Sequence, residues 1–324
     1  MRIFQPEVFQ GNWQKRNYFE GWYIKCVDAT QQKSYAFIFG VSLQQHDQHA
    51  FIQMIDGQTG KTNYQRFAFT DVAISQRKFA VTIGANHVNQ ERLELDVIFP
   101  DGQTVFGTIQ FGAFQVFPVS LLRPGIMGWY RYVPKMECYH GVVSQKHSLQ
   151  GSLTFDGITQ TFTGGRGYIE KDWGTSMPKA WIWTQSNHAS INNQANYMLS
   201  VADIPWLKQS FTGFLGYIDT GEKCYYFATY TGARLEKITY GSGGLVEVVI
   251  QDKQYWYHFL LWDGLTSGIL QAPVLGEMSR QIHEAIHASA AVTIYSRRSQ
   301  KSIFESEFSQ CGLERVGQLS PLAD

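Results

Sequence analysis

Residues 35–57 read YAFIFGVSLQQHDQHAFIQMIDG, and the pattern of this stretch decides the fold class. Tyr35–Leu43 and Ala50–Ile55 are short runs rich in aromatic and β-branched residues, which favour β-strands. Asp56-Gly57 follows the second run, and its glycine accepts the positive φ that tight hairpin turns demand. The stretch therefore predicts strands that pair in antiparallel fashion.

The same pattern recurs along the chain. Lys78–Ile83 and Glu91–Phe99 have the composition of further strands. Turn dipeptides that we interpret as hairpin connections are Asp101-Gly102, Asp156-Gly157 and Asp263-Gly264. This repetition indicates a fold built from many short strands.

One long segment is ambiguous by pattern. Met278–Tyr295 alternates in hydrophobicity and predicts a strand, although a helix through Ile282, Ala285 and Ile286 is the alternative. No regular alternation of strands and helices is visible, and no glycine-rich loop joins a clear strand to a helix. We therefore predict an all-β fold with little helix, and we expect no nucleotide cofactor.

The composition fits one large unit or two closely packed halves. The chain has 324 residues, of which 44% are hydrophobic and 15% aromatic, enough for more than one small core. Phe114–Pro134 contains three prolines, which interrupt regular structure. We expect this segment to cross from one sheet system toward another.

The charge balance and the cysteines exclude several classes of protein. Lys plus Arg and Asp plus Glu each number 27, so no net field attracts nucleic acid. The cysteines form no CxxC pair of the zinc or redox kind.

The N-terminus lacks the apolar core of a signal peptide, and no stretch resembles a transmembrane helix. We expect a cytoplasmic protein.

Several segments together resemble the tocopherol cyclase family, and they span nearly the whole chain. The most specific is Gly165–His188, GRGYIEKDWGTSMPKAWIWTQSNH. The others are Tyr18–Lys25 (YFEGWYIK), His49–Gly57 (HAFIQMIDG), Met136–Ser144 (MECYHGVVS), Phe227–Leu235 (FATYTGARL), Leu275–Glu284 (LGEMSRQIHE) and Cys311–Gly317 (CGLERVG).

The resemblance implies a fold and an activity. The expected fold is a pair of lipocalin-like antiparallel β units, which we place at residues 1–165 and 166–324. The implied activity closes a chromanol ring from a prenylated hydroquinone without redox chemistry, cofactor or metal. The expected partner is an apolar prenylated small molecule, which the protein could collect by transient contact with a membrane.

Ring closure of this kind requires a strong acid, because the enzyme must protonate a carbon of an alkene. A buried carboxyl group serves, since desolvation favours its neutral form. Glu170 and Asp172 are the candidates. In a strand, positions two apart share a face, so Tyr168 joins these two acids, while Lys171 points to the other side.

Other residues near these acids could complete the site. Aromatic faces stabilise a carbocation, and the candidates are Trp173, Trp181 and Trp183. A histidine could take the phenolic proton, and the candidates are His188 and His140. Gln185 and Asn187 could hold the quinol hydroxyls, and Glu20 and Trp22 could line the binding cavity.

Each of these residues also has a structural interpretation. Glu20 could pair with Arg16 or Lys25, and the tryptophans could fill the core. Glu137, Cys138 and His140 carry metal-capable atoms, but their spacing fits no strong zinc signature. Two further functions stay open, a lipocalin-like carrier that binds without catalysis and a carbohydrate-active protein that pairs tryptophans with acids.

Overall fold

The computed structural model describes residues 2–206 and 209–319 of the chain, and β-strands dominate them. In this part of the chain no helix reaches seven residues, so the all-β prediction is confirmed. Short 3-10 helices cover Arg2–Phe4, Phe69–Asp71, Gly128–Tyr132, Thr229–Thr231 and Ser242–Gly244. None of the described helices has the length and hydropathy needed to span a membrane.

The strands fall in two groups along the chain. The first group is β1 Phe19–Val27, β2 Ser34–Gln44, β3 Asp47–Asp56, β4 Thr62–Phe67, β5 Val72–Ile74, β6 Ala80–Ile83, β7 Asn86–Asn89, β8 Arg92–Ile98, β9 Thr104–Phe111, β10 Cys138–Phe155, β11 Ile158–Thr161 and β12 Arg166–Gly174. The second group is β13 Trp181–Ser186, β14 His188–Ala189, β15 Asn196–Trp206, β16 Gln209–Asp219, β17 Cys224–Ala228, β18 Arg234–Tyr240, β19 Val246–Gln251, β20 Tyr255–Trp262, β21 Gly268–Val274, β22 Glu277–Ser296 and β23 Ser302–Val316.

The chain divides into two compact units. Unit 1 comprises Met1–Met177 and Gly268–Ile282, and unit 2 comprises Pro178–Ser267 and His283–Asp324. Strand β12, which carries the predicted acids, therefore belongs to unit 1.

The sheet of unit 1 runs in the order β4-β3-β2-β1-β12-β10-β9-β8-β7-β6-β5. Every second residue of β2, from Tyr35 to Leu43, points into one hydrophobic core. Residues of β6 and β8 share that core with residues of β2 and β3, so the sheet curves around it. Gly40 permits this packing, because a Cβ atom there would lie 2.2 Å from the ring of Phe51.

A hairpin from late in the chain completes unit 1. Strand β21 lies beside β3 and β4, and it continues through Leu275 and Gly276 into β22. The Gln53 side chain exchanges two hydrogen bonds with the Gln271 backbone, at 2.9 and 2.7 Å. Ser42 Oγ donates to the Gly276 carbonyl oxygen at 2.6 Å. These bonds satisfy polar groups that are buried in β2 and β3.

The sheet of unit 2 follows the order β17-β16-β15-β13-β23-β22-β20-β19-β18. Its core is formed by side chains such as Ile182, Tyr197 and Phe259. Thr184 Oγ1 and the Tyr197 hydroxyl lie 2.9 Å apart inside it. In both units, the described strand pairs are antiparallel, as the hairpin pattern predicted.

Three expectations about connections can now be judged. Met278–Tyr295 lies within β22, so the strand interpretation is confirmed. Asp263-Gly264 does not form a hairpin, because β20 pairs with β19 and β22 and the chain leaves unit 2 after it. Phe114–Pro134 does not cross between sheets either, because it joins β9 to β10, which are neighbours in one sheet.

Candidate active site

Strand β12 presents two chemically different faces. Ile169 and Trp173 belong to the core of unit 1, and Lys171 lies on the same side. Glu170 and Asp172 point to the opposite side, as the period of two predicts. Glu170 is nonetheless 4% exposed, so this polar face is largely withdrawn from solvent.

Four side chains on that polar face form a proton-bearing cluster. The Tyr168 hydroxyl donates to Glu170 Oε2 at 2.5 Å. His140 of β10 stands opposite Asp172 in the sheet register, and its Nδ1 lies 2.8 Å from Asp172 Oδ1. The second ring nitrogen, Nε2, lies 3.7 Å from Glu170 Oε2. His140 therefore sits between two carboxyl groups, and we call Tyr168, Glu170, Asp172 and His140 the acid cluster.

The acid cluster adjoins a cavity of about 170 Å³ in unit 1. Apolar side chains dominate its wall, among them Phe114, Phe117, Ile126, Val142 and Val143. His140 is the member of the acid cluster that lines it. His140 is therefore the residue that the cavity and the acid cluster share.

Two charged residues also line the cavity. Burial raises the pKa of Glu7 and lowers the pKa of Arg131 to about 10, so Arg131 keeps its charge at neutral pH. Its guanidinium lies 4.2 Å from the centre of the Trp173 ring, and Nη2 donates to Gln10 Oε1 at 2.8 Å. The cavity thus combines apolar walls with one carboxyl group and one guanidinium group.

A second charged group lies on the core side of β12. Lys171 and Glu20 form an ion pair in which both side chains have no exposed surface. Lys171 Nζ also donates to the carbonyl oxygens of Pro6, at 2.8 Å, and Val8, at 2.5 Å. Burial lowers the pKa of Lys171 to about 8, while Glu20 opposes the shift.

The predicted partner of Glu20 was wrong. Glu20 pairs with Lys171 rather than with Arg16 or Lys25, because the antiparallel register of β1 and β12 sets Trp22 opposite Lys171 and places Glu20 two residues away on the same face of β1. Trp22 is fully buried in the core, where its Nε1 donates to the Glu7 carbonyl oxygen at 2.7 Å. Trp22 and Trp173 both lie near the Lys171 ammonium, with ring centres at 4.4 and 5.1 Å.

The remaining predicted site residues belong to unit 2. Trp181, Trp183 and Gln185 occupy the face of β13 that points away from the core of that unit, yet each is at most 5% exposed. Trp181 Nε1 donates to Glu314 Oε2 at 2.5 Å. Asn187 and His188 follow at the end of β13 and in β14, and both are buried.

Metal-capable atoms converge at the acid cluster. One ligand atom from each of His140, Glu170 and Asp172 lies within 4.8 Å of the others. Glu137 and Cys138 are not part of this group. Burial, aided by nearby carboxylates, raises the pKa of Cys138, which disfavours the thiolate that a metal requires. The metal-capable atoms nearest to His140 therefore belong to Glu170 and Asp172, and not to Glu137 and Cys138 as the sequence suggested.

The sequence did not reveal Glu7 or Arg131 as residues of the cavity wall. It offered Glu20 and Lys171 as separate candidates but did not predict that they form an ion pair. No local motif marks an ion pair between distant strands. A signal for the cavity wall did exist, because the segment from Gly102 to Leu122 is uncharged and ends in a proline-rich connection.

Comparison with known proteins defines the class. The sequence profile of the tocopherol cyclase-like family matches residues 119–318. That match covers more than half of the chain, so the protein belongs to the tocopherol cyclase-like family, and the resemblance seen in the sequence is confirmed. Among curated proteins, none matches this chain.

Several solved structures match this chain. The structure of CghA with Sch210972 matches with a TM-score of 0.55 and 11% identity, covering 93% of this chain and 89% of that chain. A candidate AttH from Nitrosomonas europaea gives 0.49 and 12%, covering 96% of each chain. Kievitone hydratase from Nectria haematococca gives 0.48 and 10%, covering 96% and 94%. At 11% identity, the likeness to CghA establishes a shared fold.

Proposed function

We propose that this protein is a cofactor-independent cyclase that closes a chromanol-type ring in a prenylated hydroquinone or a related apolar substrate. The observation that carries the proposal is the position of His140, which lines an apolar cavity and lies between Asp172 and Glu170. Membership of the tocopherol cyclase-like family supports the reaction class.

In the proposed reaction, the substrate gains one proton at the alkene and loses one proton from the phenol. The Asp172 carboxyl group supplies the proton for the alkene through His140, which lines the cavity, and the phenolic oxygen adds to the resulting tertiary cation. His140 takes the phenolic proton as the carbon–oxygen bond forms. The contact between Nδ1 and Asp172, at 2.8 Å, then returns a proton to the carboxylate. Substrate and product have the same formula, so the cycle needs no oxidant or reductant.

Glu170 has a supporting role in this scheme. Its carboxyl group accepts the Tyr168 hydrogen bond and lies near His140 Nε2. A carboxylate at that distance stabilises the imidazolium that forms during ring closure. The roles predicted for His188 as a base and for Trp181, Trp183, Gln185 and Asn187 in substrate binding remain predictions.

The cavity restricts which part of a substrate enters it. Its volume is about 170 Å³, whereas pockets for drug-sized ligands span roughly 300–1,000 Å³. We infer that the reacting end of the substrate occupies the cavity and that a long prenyl tail extends beyond it. The wall residues Phe114 and Phe117 offer aromatic faces of the kind that stabilise cations.

The second candidate function is that of a carrier that binds its ligand without catalysis. The apolar wall of the cavity is the observation that favours a carrier, because binding an apolar molecule needs no acid. A carrier would retain its ligand unchanged, whereas the cyclase would return an isomer of equal mass and different retention time.

Conservative substitutions test the proposal. With a prenylated hydroquinone as substrate, we expect Asp172→Asn to lower turnover roughly 100- to 10,000-fold, because the amide keeps the shape but has no acidic proton. Glu170→Gln and His140→Gln should also lower turnover. Ligand binding and the melting temperature should persist. Chromatography with mass detection measures the product.

Glu91→Gln, at an exposed turn residue, is the control and should keep full activity. Full activity in Asp172→Asn and Glu170→Gln together would remove both acids from the mechanism. Retained ligand binding with no product from the unmodified protein would favour the carrier.

A further inference from the structure

The connection between β9 and β10 exposes an unusual amount of apolar surface. We define residues 116–132 as the apolar loop. Its exposed large apolar side chains are Val116, Val119, Leu121, Leu122, Trp129 and Tyr132. Leu121 and Leu122 are 78% and 87% exposed. Apolar patches of this kind on a folded protein indicate an interaction surface.

The two halves of the apolar loop lie together. The Tyr132 hydroxyl donates to the Leu121 carbonyl oxygen at 2.8 Å. Trp129 and Tyr130 stack with ring centres 4.2 Å apart. The exposed leucines and the exposed aromatic residues therefore form one surface patch rather than scattered positions.

The charge of this region has a single sign. No Asp or Glu occurs between Asp101 and Glu137, whereas Arg123 and Lys135 carry positive charge beside the exposed leucines and aromatic residues. Leucine, tryptophan and tyrosine beside basic residues are the composition of protein surfaces that insert into the boundary between lipid headgroups and acyl chains. Basic residues there gain energy from anionic headgroups.

The apolar loop is also a wall of the cavity. Val116 and Val119 are exposed, at 63% and 48%, and they line the cavity as well. Phe117, Pro124 and Ile126 of the same loop face the cavity. Val116 and Val119 therefore belong both to the exposed patch and to the cavity wall.

We propose that the apolar loop docks on an anionic lipid bilayer and that the cavity takes its ligand directly from the membrane. A bilayer fits better than a protein partner, because this segment offers no strand to extend and only the short helix Gly128–Tyr132. The proposal rests on the proposed function for the identity of the ligand, but membrane binding itself needs no turnover.

The test is co-sedimentation of the full chain with lipid vesicles. We expect binding to vesicles of phosphatidylcholine with phosphatidylserine, weaker binding to phosphatidylcholine alone, and a decrease as salt is raised. Leu121→Asn with Leu122→Asn should lower the affinity roughly tenfold or more, because two apolar side chains lose their burial in lipid.

A matched control makes the same chemical change elsewhere. Ile98 and Ile158 are 67% and 69% exposed on other strands of unit 1, and Ile98→Asn with Ile158→Asn should bind vesicles like the unmodified protein. Absence of vesicle binding, or equal binding by the loop variant, would overturn the proposal. Self-association that the loop variant abolishes, without vesicle binding, would assign the patch to a second copy of the chain.

Measurements of turnover distinguish the membrane-docking proposal from the cyclase proposal. Leu121 and Leu122 do not line the cavity. The loop variant should therefore keep its activity on substrate dispersed in detergent and lose it on substrate held in vesicles. Equal activity of the loop variant and the unmodified protein on both forms of substrate would refute delivery from the membrane while leaving the cyclase proposal intact.

Discussion

At the residue scale, the two faces of β12 illustrate what a sequence can and cannot predict. The period of two places Glu170 and Asp172 together, and the structure has them on one face beside His140. The partner of Glu20 could not be found in this way. Lys171 is distant in sequence, and only the register of β1 against β12 brings the two charges together. Local spacing thus predicted the acids but not the buried ion pair.

The ion pair of Glu20 and Lys171 supports a prediction about stability. We expect Lys171→Met to lower the free energy of unfolding by about 3–5 kcal/mol, because it leaves the Glu20 carboxylate buried without its counterion. The double variant with Glu20→Gln should lose less than the sum of the two single changes. Denaturant unfolding measures all three variants.

The exposed pair of Lys61 and Asp101 provides the matched control. Its side chains are 45% and 38% exposed, so Lys61→Met should change stability by at most about 1 kcal/mol. An effect of Lys171→Met as small as that of Lys61→Met would contradict a stabilising role for the buried pair.

At the element scale, an Asp-Gly dipeptide predicted a hairpin correctly only where the two strands that flank it pair with each other. Asp156-Gly157 joins β10 to β11 with φ values of 50° and 84°, as predicted. Asp263-Gly264 looks the same in sequence, but Gly264 instead permits close approach, since a Cβ atom there would lie 2.9 Å from the His287 carbonyl oxygen. The turn between β21 and β22 uses Leu275 and Gly276 with positive φ, a pair that no turn rule favours strongly.

Strand β10 contains a buried histidine that predicts a pH dependence. His147 lies at a register shift, between Phe111 and Phe114, and Ser144 Oγ lies 2.9 Å from its Nδ1. Burial lowers its pKa from 6.5 to about 3. Below pH 6.5 the unfolded chain binds a proton at this site that the folded protein excludes, so stability falls as the pH decreases toward 3.

We expect this site to cost at most about 1.4 kcal/mol per pH unit within that window. Unfolding measured between these pH values should show a steeper decline for the unmodified protein than for His147→Gln. His46→Gln removes an exposed imidazole and serves as the control. Parallel curves for the unmodified protein and His147→Gln would rule out this origin of acid sensitivity.

At the scale of the whole molecule, the all-β class could be predicted because it follows from local alternation and turns. The division of the chain could not, since residues 268–282 return to unit 1 after most of unit 2. That return depends on partners such as Gln53 and Gln271, which are far apart in sequence. No composition change marks either crossing.

The whole protein should be stable without bound metal. The atoms of His140, Glu170 and Asp172 that could bind an ion already contact one another or Tyr168. We expect exhaustive dialysis against a chelator to leave the melting temperature and ligand binding unchanged. An ion bound by the folded state alone would stabilise it, so a clear drop on chelation that His140→Gln abolishes would assign a metal to the acid cluster.

The return of Gly268–Ile282 to unit 1 has a consequence for the nascent chain. Synthesis proceeds from the N-terminus, and domains generally fold as they emerge. Unit 1 cannot complete its fold in this way, because Ser42 and Gln53 bond to Gly276 and Gln271, which are translated after most of unit 2. While the ribosome translates residues 178–267, the polar groups of β2 and β3 lack the hydrogen-bond partners that Gly276 and Gln271 later provide. Both units therefore reach their final form only near the end of translation.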